Sequence, residues 1–194
     1  LGGDTMYKFK SQIDKWHIAG FFWIVTIGSL LHFTYEWSGN SNIVGIFSPI
    51  NESVWEHLKL GYFSLTFFIL LEYWFLKDKT QNYALAKIVG IIDMSIFILI
   101  IHYSYKFVFK DSNVIVDIGS FIVGAFICQF LSSRIMKKNR PKNINRLGFF
   151  IYIFIGILFI IFTFYPPDLP IFEETTIANY VSLIDHLIIQ MLTY

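Results

Sequence analysis

An all-α bundle of transmembrane helices is the fold class this sequence predicts. Three observations carry it. The 194 residues are 55% hydrophobic and only 15% charged, where a soluble domain carries about 25% charged residues. The apolar residues gather into runs of about 20, the length that spans a bilayer as helix. Lysine and arginine alternate from loop to loop in the pattern that sets orientation in membranes.

The elements follow in order. The first span is expected over 16–35, ended by the polar Glu36-Trp37-Ser38-Gly39-Asn40. The second, 54–76, starts after Asn51, Glu52 and Ser53, residue types that begin helices. The third covers 83–105 and the fourth 114–135. The fifth, 147–165, is stopped by Pro166-Pro167, because proline bars helical geometry in the residue before it. A sixth, 176–192, is two-faced. Ile177, Tyr180, Val181, Ile184, Ile188 and Met191 recur at helical spacing, while Asn179, Ser182, Asp185, His186 and Gln190 lie elsewhere. It is expected to close the bundle; lying in the interface as an amphipathic helix is the alternative. The whole chain reads as a single domain without internal repeats, and residues 1–5, ahead of Met6, as a remnant foreign to it. No cleavable signal peptide is expected.

Lys8, Lys10, Lys15, Lys77, Lys79, Lys87, Arg134, Lys137, Lys138, Arg140, Lys142 and Arg146 fall on one side, against Lys59, Lys106 and Lys110 on the other. Both termini are therefore expected in the cytoplasm. The single cysteine, Cys128, excludes an internal disulfide or a Cys-cluster metal site, and a net charge of +1 gives no case for nucleic acid.

Ionisable groups in hydrocarbon cost roughly 2.5–3.5 kcal/mol each on insertion scales and so face an interior or a cavity. Placed by depth at about 1.5 Å per residue, His32 and Glu36 end the first span, and Glu52, Glu56 and His57 open the second. His102 ends the third and Asp117 opens the fourth. These seven define an expected outward-facing polar pocket, with His32, Glu36, Glu56 and His57 foremost. The structural alternative is local. Ser53 and Glu56 fit a capping box, Glu52 and Asp117 suit helix N-termini, and Trp37 and Trp55 suit an interfacial belt. Asp93, Asp185 and His186 lie at other depths, and read either as a proton or cation path or as interhelical hydrogen bonds. Glu72 is expected to reach the cytoplasmic headgroups.

His32, Glu36, His57 and His102 have the donor types of a divalent metal such as zinc, without a diagnostic spacing. A metal-bound water would then hydrolyse a lipid-like substrate. A carboxylate beside histidine would instead move protons on one. Bis-histidine haem ligation fits less well, because the histidines share one level.

Gly28–Trp37 (GSLLHFTYEW) resembles the first-helix pattern of EXPERA-domain proteins, the emopamil-binding sterol isomerases. The resemblance implies a lipid pocket lined by His32 and Glu36 in a five-span bundle. The outline, six spans and an outward pocket, is similar to the substrate-binding components of energy-coupling vitamin transporters, which would imply partner subunits. Those dock through small residues on the first helix, a run this chain lacks. HFTYEWSGN at 32–40 and FSPINESVWEHLK at 47–59 resemble a family of uncharacterised small bacterial membrane proteins, which implies a bacterial plasma membrane and no particular activity. The leading expectation is binding or passage of a small polar ligand, ion or lipid headgroup, with transporter partner subunits or as a homo-oligomer. A membrane-embedded lipid-modifying enzyme is second.

Overall fold

The computed structural model describes residues 2–110, 113–138 and 141–174, with side chains from residue 10 onward except that of Lys142. Six helices occur among them: α1 (Gly2–Trp37), α2 (Asn42–Gly45), α3 (Val54–Leu76), α4 (Tyr83–Phe109), α5 (Val114–Met136) and α6 (Lys142–Phe164). All but α2 are long and apolar enough to cross a membrane, and the chain is a multi-pass membrane protein by that criterion. The predicted sixth span lies outside the described residues, as do Asp185 and His186.

Hydropathy placed α3 to the residue and missed the ends of the others, because helices continue past the hydrocarbon boundary. The α1 helix runs back through Lys10, Ser11, Gln12 and Asp14, polar residues that hydropathy cannot count as span. The α6 helix starts directly after Pro141 and ends at Phe164, one residue earlier than predicted, ahead of Tyr165 and Pro166. Asn113 caps α5, its Oδ1 accepting from the amides of Ile115 at 2.9 Å and Val116 at 3.4 Å.

α1 packs on α3 and α5, α4 on α5, α6 and α3, and α3 meets α6 at fewer points than these helices meet one another. Small residues let α4 and α5 approach, as in membrane interfaces generally. A Cβ at Gly90 would meet Ser132 Oγ and, at 2.7 Å, the Cys128 carbonyl. At that contact the Ser132 hydroxyl donates to the Ala86 carbonyl at 2.8 Å. A Cβ at Gly148 would lie 2.9 Å from the backbone of Leu85, so α6 lies against α4 just as closely. Ile24, Leu58, Leu65, Ile88, Ile91, Met94 and Ala125 fill the centre. Large apolar side chains such as Phe22, Trp74, Phe126 and Phe154 face outward, the arrangement a lipid solvent favours.

We call the end where α1, α4 and α6 finish and α3 and α5 begin the upper end. The lower end carries the 77–82 loop. Glu72 does not reach the lower surface: it is fully buried, 2.5 Å from Lys87 and accepting from Tyr83 Oη at 2.8 Å. His17 stands 3.9 Å away on α1. Lys87 is thus an interior residue of α4 rather than a loop cation, and Lys59 is likewise interior. Each side of the charge tally loses one cation, so the bias survives.

Candidate functional site

Four helices and one loop enclose a cavity of about 430 Å³ at the upper end. His32 reaches it from α1, Glu52 from the loop before α3, His57 from α3, His102 from α4 and Asp117 from α5. Five of the seven residues placed by depth therefore line one space. The rest of its wall is largely apolar, including Leu60, Ile98, Ile118 and Phe121.

The donors fall into two groups. In the first, Glu52 Oε2 lies 3.5 Å from His32 Nε2 and 3.5 Å from His57 Nε2. One donor atom from each of the three lies within 4.8 Å of the others, and the two imidazole centroids are 5.4 Å apart. His57 Nδ1 donates to the Ser53 carbonyl at 2.9 Å. In the neutral ring that bond keeps the proton on Nδ1 and leaves Nε2 as the nitrogen that faces Glu52. The His32 imidazole, hydrogen-bonded to Glu52, holds that carboxyl below the usual carboxylate range, against partial burial that pushes it up. The second group is His102 and Asp117, with Nδ1 to Oδ1 at 3.0 Å. His102 is buried and Asp117 half-buried. Asp117 therefore turns to a neighbouring helix and leaves the capping of α5 to Asn113.

Two expected site residues do not join. Glu36 is exposed, one turn above His32, and does not line the cavity. The metal set drawn from the sequence, His32, Glu36, His57 and His102, is replaced by His32, Glu52 and His57. Spacing of i,i+4 put Glu36 on the face of His32, but a loop residue folds in closer. Glu56 is buried 2.5 Å from Lys59, with Oε1 accepting from Thr163 at 2.7 Å and Oε2 from the Ile50 amide at 3.1 Å. Lys59 also donates to the Gly45 carbonyl at 2.9 Å and to Thr163 at 2.8 Å. This network ties α3 to α6 and pins the segment carrying Glu52. Glu56 thus acts beneath the site rather than in it.

The capping box is half present. Ser53 Oγ accepts from the Glu56 amide at 3.4 Å, while Asn51 Oδ1, not Glu56, takes the Ser53 amide at 3.1 Å. Trp55 packs on Phe159, Phe162 and Phe172. Asp93 is half-buried on α4 and lines no part of this cavity.

Sequence reasoning missed the buried pairs Glu56–Lys59 and Glu72–Lys87. The first sits at i,i+3, a spacing that brings side chains together on a helix. The second is symmetric about a tight connection: Glu72 stands as far before Lys77 as Lys87 stands after Asn82. An antiparallel helical hairpin pairs such positions.

No curated protein and no solved structure matches the chain. A family model does match it, over residues 5–181. The chain belongs to the Family of unknown function (DUF6512).

Proposed function

We propose that the upper cavity binds a divalent transition-metal ion on His32, Glu52 and His57, with an amphiphilic ligand beside it. The protein is read as a bacterial plasma-membrane protein with its upper end outside and its lysine-rich loops in the cytoplasm.

The observation that carries this reading is the convergence of three groups able to ligate a metal, His32, Glu52 and His57. With His57 Nδ1–H held by Ser53, the His57 lone pair and the Glu52 carboxylate face each other. Two acceptors at 3.5 Å need a cation between them, a proton or a metal. A tetrahedral zinc with bonds of about 2.0–2.1 Å places its donors about 3.3–3.4 Å apart. The two separations of 3.5 Å from Glu52 Oε2 are close to that value. Ser53 then serves as the outer partner that orients a ligating imidazole. Three protein donors leave a fourth position open, and the apolar walls suit the hydrocarbon part of a ligand whose polar end meets the ion.

Hydrolysis is the second reading, favoured by the His102–Asp117 pair in the same cavity. Asp117 would hold the His102 Nδ1–H, leaving Nε2 to take a proton from a metal-bound water.

Metal titration of the apo protein with Co2+ tests the proposal. Near one ion per chain is expected, with tetrahedral visible bands. His32→Ala, Glu52→Gln and His57→Ala should each weaken binding more than tenfold, and Glu36→Gln should leave it unchanged. Equal binding by wild type and the His57→Ala variant would overturn it. Hydrolysis of a lipid ester lost in His102→Ala, with Co2+ binding retained, would establish the second reading.

A further inference from the structure

At the lower end a second cavity, about 1010 Å³, opens along the loose α3–α6 seam. It is independent of the upper site. Its upper wall is apolar, from Ile69 and Leu70 of α3 and Ile153 of α6. Its lower rim carries Lys77, Lys79, Lys137 and Arg146 against a single carboxylate, Asp78, and Lys87 lies in its floor. Not all of that charge is free. Lys87 is answered by Glu72 and Lys137 by Asp14. Lys79 donates to the neutral Gln12 amide at 2.6 Å, and Lys77 lies 4.6 Å over the Trp74 ring, and neither of these partners carries a negative charge. With exposed Arg146 the two lysines leave a net positive rim below a hydrocarbon wall.

The floor is built rather than incidental. Lys87, 1% exposed, and Tyr83, 7% exposed, both line it. The Glu72 carboxylate holds both in place from the far side. Trp74, 69% exposed, lines the same opening, as aromatic rings do at headgroup level.

We propose that this groove is a binding site for an anionic phospholipid of the leaflet at the lower end, the phosphate on Lys77, Lys79 and Arg146 and one acyl chain along Ile69, Leu70 and Ile153. Charge complementarity selects the occupant. A zwitterionic headgroup carries its own cation into a rim that already has an excess. A free anion uses none of the apolar wall. Basic pockets between helices on the cytoplasmic side hold anionic headgroups elsewhere for the same reason, and the lysine bias puts this end there.

Native mass spectrometry of the full chain, released from mixed micelles with equal phosphatidylglycerol and phosphatidylcholine, tests it. One phosphatidylglycerol per chain should survive, and phosphatidylcholine should not. Each rim cation contributes about fivefold, so Lys77→Gln with Arg146→Gln should lower retention about 25-fold. Lys106→Gln with Lys110→Gln, at the upper end, should leave it unchanged and controls for net charge. Equal retention of both lipids, or no loss in the rim variant, would overturn the proposal. So would displacement by millimolar inorganic phosphate, which would make the site one for a free anion. A dimer replacing the lipid-bound monomer would mean that a second copy fills the groove, and would overturn it too.

Discussion

The Glu56–Lys59 pair makes the sharpest stability prediction. Lys59 has no exposed surface and Glu56 almost none. The ammonium meets three acceptors, the Glu56 carboxylate, the Gly45 carbonyl and Thr163 Oγ1. Lys59→Met removes the cation and leaves the Glu56 carboxylate buried without its counter-charge. Breaking a buried pair this way costs about 3–5 kcal/mol, whereas replacing both partners with neutral groups of similar volume is often near neutral. At about 2–4 °C per kcal/mol for a chain of this size, Lys59→Met should lower the detergent melting temperature by roughly 6–20 °C. The double variant Glu56→Gln, Lys59→Met should recover more than half of that loss. The Gly45 carbonyl stays unpaired in both, so recovery falls short of complete. Differential scanning fluorimetry on the two single variants and the double variant measures the cycle. A double variant that loses the sum of the single losses would refute the reasoning, because the two groups would then act independently.

Other outcomes follow from the same geometry. Glu52 carries a lowered pKa through its His32 hydrogen bond. A depressed carboxylate contributes stability that is complete above its unfolded value and is lost as pH falls through the folded one. The apo melting temperature should therefore drop on its acid limb, and Glu52→Gln should flatten that limb in a pH series. Metal affinity should fall as the solution is acidified, because ligating imidazoles must be neutral; isothermal titration across a pH series reads it. Gly148→Ala puts a Cβ 2.9 Å from the Leu85 backbone, and overpacking of this kind costs about 1–3 kcal/mol. The same melts should show a loss of several degrees. Glu36→Gln should change neither the melt nor metal binding.

Depth was legible in the sequence and partnership was not. Hydropathy and the rise per residue put His32, His57, His102 and Asp117 at one level, and all four line one cavity. The same argument admitted Glu36 and Glu56, because depth says nothing of azimuth and nothing of loops. Glu52 entered the trio because the 46–53 segment is folded back by the Glu56 carboxylate on the Ile50 amide and by Ser48 on the Leu31 carbonyl. Both contacts join residues that no helical period relates. Glu72 was read as a surface group because it sits near a helix end. Its burial depends on Lys87 arriving from the next helix and Tyr83 beside it, which only the packing of α3 on α4 supplies.

The most direct test of the metal proposal is anomalous scattering at the zinc edge from crystals grown with Zn2+. The account predicts one strong peak per chain within about 2.0–2.1 Å of His32 Nε2 and His57 Nε2, with a Glu52 oxygen completing the protein ligands. Crystals of metal-saturated protein with no peak there, and His57 Nε2 bonded to Glu52 through a proton alone, would contradict it.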